Sequence, residues 1–395
     1  VQALTGGPRA ALTAAAVSEA LDLKRGGHIR HGITVLDTAG NDTTETLRFT
    51  SATVTWSYRP PDLTAGQQAE VAAVRRQASV QTAGAVSINL VTRRLRLWTE
   101  WQLADSSWAR FHLGVFVIVN PGALADDGVV LTRTLQLADK SYLWQLATLT
   151  DPLTVAAATA VVAWIKADLT SRFGETSFAI TDTGATLGGA VTFESGTTWL
   201  EVYSSLLAAV AYDQLIADED GHPASTPLAT LTGKGPERAF GPGLGKIVEA
   251  GSLEPLQPVL PNRLRFTARQ GPASGGSVGN GIYIVDNASA GPASISSRGY
   301  VVEQRVDVEA YDQATLVAVG DAEKQRYFAG GGDKFTGSVA LNPRASDRDV
   351  IAITLPRLSI TGTTWLVTDW TYPMNPALAD SGSILMPIVA ERRVT

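Results

Sequence analysis

The sequence predicts a mainly β protein with an α+β insertion: two related antiparallel β-barrel domains joined by a helix-containing domain. Three observations predict it. Stretches in which apolar and polar residues alternate fill the first and last thirds of the chain. An Ala-rich, non-alternating stretch with helix start and stop signals lies between them. A phrase of the first β-rich region returns in the last. The expected boundaries are 1–150 for the first barrel, 151–250 for the α+β domain and 251–395 for the second barrel, with an inserted helix at about 312–328.

The elements follow in order. In "ATVTWSYRP", Ala52, Val54, Trp56 and Tyr58 alternate with Thr53, Thr55 and Ser57, which gives one buried and one wetted strand face. "SINLVTRRLRLWTEW" continues the pattern, with Val91, Leu95 and Leu97 opposite Arg94 and Arg96. Arg93 breaks the apolar face, as a barrel rim or an interface does. "ARFHLGVFVIVNP" is nearly apolar on both faces, as in a strand covered on both sides, and Pro121 ends it. "GVVLTRTLQLAD" is the next strand. From Asp151 the alternation stops. "DPLTVAAATAVVAWIKADLTSRFG" reads as a helix capped by Asp151, with Pro152 in its first turn and Gly174 closing it. A second helix starts at "TTWLEVYSSLLAAVAY", where Thr198 and Glu201 have capping-box spacing and Trp199, Tyr203, Leu206, Leu207 and Val210 share a face.

The stretch "DQLIADEDGHPAS" holds Asp218, Glu219, Asp220 and His222. It reads as a hairpin whose tight turn is Asp220-Gly221, since Asp-Gly supplies the positive φ angles of a two-residue turn. Neighbouring carboxylates in a strand point to opposite sides and do not converge on one ion. The calcium-loop pattern is present only in fragments. The expected role is a solvated turn, against a metal or catalytic one.

From about Thr230 to Pro261 many Gly and Pro mark a connection between domains. "NRLRFTA", "IYIV" and "VVEQRVDVEA" are strands; in the last, Val302, Val306 and Val308 oppose Glu303, Arg305, Asp307 and Glu309. A helix follows and stops at "GGG". "FTGSVAL", "VIAITL", "TTWLVTDWTYP" and "SILMPIVAER" complete the β-rich end.

Composition narrows the function classes. Of 395 residues 45% are hydrophobic and 18% charged, enough to build sizeable cores in two or three domains. A net charge of −6 argues against a duplex nucleic-acid binder but suits a channel past which a polyanion slides. With no cysteine, disulfides, thiolate metal sites and Cys nucleophiles are excluded. The N-terminal stretch lacks the layout of a signal peptide. "LTVAAATAVVAWI" falls short of the roughly 20 residues that span a bilayer, so a soluble protein is expected.

The motifs that carry chemistry elsewhere are weak here. "GPASGGSVGNG" lacks dinucleotide and phosphate-loop spacing, and "ESGTTW" lacks that of a nucleophile elbow. His28 and His31 flank Gly-rich backbone and read as surface or interface groups; His112 reads as a satisfied core or interface group. Asp126 and Asp127 are adjacent acids on a loop. Arg93, Arg94 and Arg96 with Trp98 and Trp101 offer either a base-stacking platform or a protein interface. No catalytic, cofactor-binding or metal-ligating residue is assigned and no cofactor is expected.

The repeated phrase comprises "FVIVNPGALADDGVVL" and "TDWTYPMNPALADSGSIL". Each is an apolar strand, Asn-Pro, Ala-Leu-Ala-Asp, Gly and a second strand. Asn120-Pro121 corresponds to Asn375-Pro376, Asp126 to Asp380 and Gly128 to Gly382. A duplicated barrel has a consequence: three copies of the chain place six similar barrels in a ring. Such a ring is near-sixfold on one side and threefold on the other, and its closure pairs exposed strand edges.

The order and texture of "FHLGVFVIVNP", "LADKSYLW", "TWLEVYSSLLAAVAYDQLIADEDGHP", "PNRLRF" and "YDQATLVAVGDAEKQRYFAGG" resemble the baseplate-hub, or tail-tip hub, family of tailed bacteriophages and related injection systems. The chain is also similar to the versions found in long-tailed phages of actinobacteria, the siphophage-type minor tail proteins. The resemblance spans most of the chain; Asp139–Trp144 and the helix with its "DEDG" hairpin carry most of it. It implies a homotrimer around the tail axis, in the virion's tail tip. Its expected partners are a sixfold distal tail protein or tail-tube hexamer, the tape-measure protein, and tip or fibre proteins. DNA would pass through the lumen without sequence-specific binding, and no stable membrane insertion is implied. Some members carry a peptidase or lysozyme extension, which is not expected beyond "ERRVT". The competing classes are a β-rich cell-wall-degrading enzyme using the acids, and a carbohydrate-binding tail protein using the nine Trp.

Overall fold

A computed structural model describes residues 29–57, 74–84, 88–102, 106–126, 130–227, 235–236, 238–241, 248–254, 261–268, 281–287, 294–308, 310, 313–329, 334–343, 345, 349–374 and 385–392. Seven strands come first among the described residues: β1 (Ile29–Leu36), β2 (Phe49–Ser57), β3 (Arg76–Ala83), β4 (Arg94–Gln102), β5 (Trp108–Asn120), β6 (Leu124–Asp126) and β7 (Leu131–Asp139). The alternation read from the sequence decides their faces. Ala52, Val54 and Trp56 are buried in β2 while Thr53 and Thr55 are exposed. Tyr58 lies outside the described residues. In β4, Leu95 and Leu97 are buried. The strand begins only at Arg94, however. Val91 sits in the preceding turn at 92% exposure, and Arg93 leaves the sheet to pair with Glu45 at 2.5 Å. Asn89 makes that turn by accepting from the backbone N–H groups of Val91 and Thr92, a local alternative to strand pairing that periodicity does not register.

The middle of the chain is a separate α+β unit. Its helices are Ser141–Leu146, Val161–Phe173 and Trp199–Ala208. Its short strands are β8 (Leu153–Val155), β9 (Ala179–Ile180), β10 (Val191–Phe193), β11 (Ile216–Ala217) and β12 (Pro223–Ser225). The first helix expected here starts later than Asp151. Leu153–Val155 instead pairs with Val191–Phe193, and the helix begins at Val161. β-branched Thr154 and Val155 favour the strand, and the cross-strand Thr154–Thr192 hydroxyl contact of 3.0 Å adds to it. Gly174 closes the helix in the left-handed conformation, as read. Thr198 caps the next helix: its Oγ1 accepts from the Glu201 N–H at 3.2 Å. Around these helices Trp144, Ile165, Leu169, Leu200, Val202 and Tyr203 form a core of their own.

The rest of the chain contributes β13 (Arg238–Phe240), β14 (Val248–Glu254), β15 (Arg263–Ala268), β16 (Ile282–Asp286), β17 (Glu303–Val308), β18 (Lys334–Ala340), β19 (Val350–Leu355), β20 (Ile360–Met374) and β21 (Leu385–Arg392). Two expectations change here. The Gly/Pro-rich stretch read as a connection carries β13 and β14, which belong to the second sheet unit. The inserted helix, Gln313–Ala329, joins β15, β16 and β17 in a small unit with its own core of Leu264, Phe266, Val306, Val308, Leu316 and Val319. Within it β15 runs parallel to β17 and antiparallel to β16, and the three strands form a sheet of their own.

The two outer regions meet in a thirteen-stranded sheet. The first unit runs β1-β4-β5-β7-β3-β2 and the second β13-β19-β20-β21-β18-β14. The orders coincide strand for strand, and so does the register. Phe116, Val117 and Ile118 face Asp139, Ala138 and Leu137, as Trp365, Leu366 and Val367 face Arg392, Glu391 and Ala390. A one-residue shift follows at Val119 in one unit and Thr368 in the other. On the opposite side Leu95 faces Phe116 as Ile351 faces Trp365, and Leu97 faces Gly114 as Ile353 faces Thr363. The outermost strands differ in direction: β1 runs antiparallel to its neighbour and β13 parallel.

This register corrects the residue correspondence drawn from the repeated phrase. Asn120 is the counterpart of Asp369, not of Asn375, because β20 continues to Met374 before its loop. The continuation exists because β2 pairs with it, Ser57 to Asp369 through Ala52 to Met374. Asn375, Pro376, Asp380 and Gly382 lie outside the described residues, as do Asp127 and Gly128. The β2–β20 ladder fuses the two units. The first unit is rolled up: Tyr372, beside β2 at one end of the strand order, lies 3.4 Å from Trp101 Nε1 on β4 and edge-on to His31 on β1 at the other. One hydrophobic core, including Val54, Trp56, Leu95, Trp365 and Tyr372, serves both units.

Candidate functional site

A cluster of titratable groups lies where the helical unit meets the first sheet unit. β7 ends at Asp139 and passes directly into the helix Ser141–Leu146, so the "LADKSYLW" segment is the joint itself. Trp144 anchors the far side, fully buried in the helical core. Asp139 is also buried. Its Oδ1 accepts from the N–H of Ser141 at 2.9 Å and from the Ser141 hydroxyl, and its Oδ2 from the N–H of Arg76 at 3.3 Å. Burial pushes its carboxyl up to about 6, against the opposing pull of these bonds and of the Arg76 charge.

Arg76 spans the joint. It occupies an inward position of β3, in line with Ala78 and Val80, and is 2% exposed. Its guanidinium donates to the Ala217 carbonyl at 3.4 Å and lies 3.6 Å from Glu219. Lys140 pairs with Glu175 at 2.5 Å, and burial lowers the Lys140 ammonium. Arg94 feels the same Glu175 charge from the sheet side.

The carboxylate-rich hairpin is the other half of the joint. β11 and β12 pair as expected, but the turn differs from the two-residue type. Gly221 N–H donates to the Asp218 carbonyl at 3.1 Å and Asp218 N–H to the His222 carbonyl at 2.9 Å. Gly221 has φ +80° while Asp220 does not take a positive φ. This is a three-residue loop with its glycine in the left-handed position. Asp218 holds it, accepting from the N–H groups of Asp220 at 2.9 Å and His222 at 2.8 Å. The tip is only partly solvated, where the sequence predicts a solvated turn. Asp220 reaches His112 Nδ1 on β5 at 2.5 Å, and this contact holds the Asp220 carboxyl below the usual range. A Cβ on Gly221 would stand 2.8 Å from Val115 Cβ, so only glycine lets the turn lie flat on β5. The covered second face of β5, legible in its unbroken apolar run, is covered by this turn.

The remaining candidates disperse. Asp126 lies on β6, apart from the Asp218–Asp220 hairpin, and Asp127 is outside the described residues. His28 is outside the described residues. His31 is half-buried, edge-on to Tyr372, and burial of its ring lowers its imidazole to about 4. Arg96 pairs with Asp42 at 3.3 Å. Trp98 is clasped between Gly32, where a Cβ would fall 2.0 Å from its ring, and the Arg110 guanidinium 4.1 Å from its centroid. Trp101 is buried. The base-stacking platform is therefore absent from this face. None of the nine Trp is exposed: Trp98, Trp108 and Trp164 are half-buried and the others buried. Among the described residues no group of three or more His, Asp or Glu is arranged to hold a metal ion, and no helix is long and apolar enough to cross a membrane. The sequence reading passed over Arg76, Lys140 and Glu175. Arg76 had a signal, a charge on the buried side of an alternating strand.

Neither a protein-family model nor a curated protein matches the sequence. The fold has clear likenesses among solved structures. A tail protein from Neisseria meningitidis MC58 superposes with a TM-score of 0.61 at 9% identity, over 92% of this chain and 96% of that one. A 43 kDa tail protein of prophage MuSo2 from Shewanella oneidensis gives 0.56 at 11%, over 92% and 98%. A component of the type VI secretion system of E. coli, structurally similar to T4 bacteriophage tail proteins gp27 and gp5, gives 0.50 at 10%, over 92% and 77%. The chain shares its fold with these phage tail proteins and with the secretion-system component. That is the fold the sequence resemblance implies.

Proposed function

We propose that the chain is a structural subunit of a phage tail tip: a homotrimeric baseplate hub, without catalysis. It adapts a sixfold tail tube or distal tail ring to a threefold tip. Its lumen passes DNA and the tape-measure protein. The observation that carries this reading is the internal repeat. Two units of the same strand order and register, already joined side by side through β2 and β20, make one chain supply two similar segments of a ring. The carboxylates that suggested an enzyme support the same reading, since they are engaged in fastening one unit to another. The net charge of −6 suits a lumen that a polyanion traverses.

Electron microscopy of the purified chain and of the native tail tests the proposal. Ring-shaped particles of three copies with six similar lobes are expected at the tail tip. A single copy in the assembled tail overturns the hub reading. Zymography on bacterial cell wall tests the absence of catalysis, and clearing by the purified chain overturns it.

A further inference from the structure

The repeat defines one contact that the chain makes internally once and leaves unmade once. In the second unit, the end of β20 carries β2 on its edge, with Val54 facing Tyr372, Thr53 facing Pro373 and Ala52 facing Met374. The counterpart of that end in the first unit is β6. Continuing the β20–β21 register past Trp370 and Ile388 brings Tyr372 level with Met386 and Pro373 level with Leu385. Through the equivalent β3–β7 and β18–β21 ladders, Arg133 and Thr132 stand where Met386 and Leu385 do. Leu124 and Ala125 face Arg133 and Thr132. Leu124 therefore occupies the place of Tyr372, and Ala125 that of Pro373. The counterpart of β2 is β14. Val54 faces Ala78 as Leu253 faces Phe335, and Thr53 faces Ser79 as Ser252 faces Thr336.

Burial marks the missing partner. Tyr372 is 0% exposed beneath β2, whereas Leu124 in the same place is 49% exposed. Val54 is fully buried, whereas Leu253 is only half covered. Among the described residues β14 and β6 each have a strand on one side only. Open edges of this kind template pairing with another chain.

From this we infer that β14 of one copy adds to β6 of the next, in the register that β2 takes on β20. Leu253 faces Leu124 across the contact and Ser252 faces Ala125. The occupant is a second copy of this chain, because among the described residues β14 is the strand that stands where β2 does. The contact is head to tail, so it propagates from copy to copy until a ring closes. The inference rests on the ring reading above and adds the strands and the register that make the joint.

Disulfide trapping tests it. The chain has no cysteine, so any link joins introduced ones. Adjacent antiparallel pairs alternate between hydrogen-bonded and non-hydrogen-bonded, and the latter bring side chains closer. Two double variants are needed, Leu124→Cys with Leu253→Cys and Ala125→Cys with Ser252→Cys. The expected result is that at least one of them, on mild oxidation, forms a covalent ladder that ends at three copies, while each single-Cys variant stays uncrosslinked. Mass photometry of the unmodified chain runs alongside. Trimers with neither double variant linked overturn the strand pairing and leave the ring reading standing. Links that run on past three copies support the pairing and overturn the trimer. Linked single-Cys variants show a symmetric contact and overturn the head-to-tail inference. Uncrosslinked monomers at tens of micromolar overturn both.

Discussion

Replacing Gly221 by alanine isolates the seating of the carboxylate hairpin on β5. Two costs are expected. At φ +80° an L-residue loses about 1–2 kcal/mol against glycine. The new methyl also meets Val115, 2.8 Å from its Cβ and 3.0 Å from its Cγ2. Overpacking of this kind costs about 1–3 kcal/mol. Gly196 supplies the control. It lies in the same α+β unit with φ +87°, and a Cβ there meets nothing within 4 Å. Gly196→Ala is expected to lose only the backbone part, about 1–2 kcal/mol. Gly221→Ala is expected to lose about 2–5 kcal/mol, the two parts together. Urea denaturation followed by tryptophan fluorescence measures both. Equal losses in the two variants refute the docking of the turn on β5, since the backbone cost is common to both.

Three further outcomes follow from the same joint and the helix behind it. Asp139 has a folded-state pKa raised to about 6 from 3.8, so the native state binds the extra proton between these values. Its contribution to stability therefore falls as pH rises through that window, by roughly 3 kcal/mol in full. Asp139→Asn does not titrate, so the stability gap between wild type and variant is expected to shrink from pH 4 to pH 7; a pH-independent gap counts against it. Asp220 is shifted the other way, chiefly by His112, and its contribution is lost as pH falls through its lowered pKa. In His112→Ala the Asp220 carboxyl is expected to titrate at higher pH by carbon-detected NMR. Thr198→Ala removes the cap that receives the Glu201 N–H, and a loss of about 1 kcal/mol is expected in urea denaturation.

The strands and the second helix were legible because each rests on local chemistry. Alternation at Ala52, Val54 and Trp56 reports one dry face, and Thr198 with Glu201 reports a cap, whatever lies elsewhere in the chain. The failures came where a partner distant in sequence decides. Leu153–Val155 looked helical until Val191–Phe193 claimed it as a strand. β13 and β14 looked like a linker because Gly and Pro dominate their surroundings, yet strands distant in sequence pair with them. The repeated Asn-Pro phrase pointed to a duplication, but the hydrogen-bond register aligns Asn120 with Asp369 and leaves the phrase out of step.

The sequence by itself determined a β-rich chain with a helical insertion, no thiol chemistry, and a duplicated unit. These follow from side-chain polarity and composition, which each residue carries with it. The tertiary structure alone decided that Asp220 meets His112 and Glu219 meets Arg76, and that the two units share one sheet through β2 and β20. The physical reason is that a carboxylate's role and a strand's edge are both set by what stands opposite. In this chain the opposing groups are contributed by segments far away along the backbone.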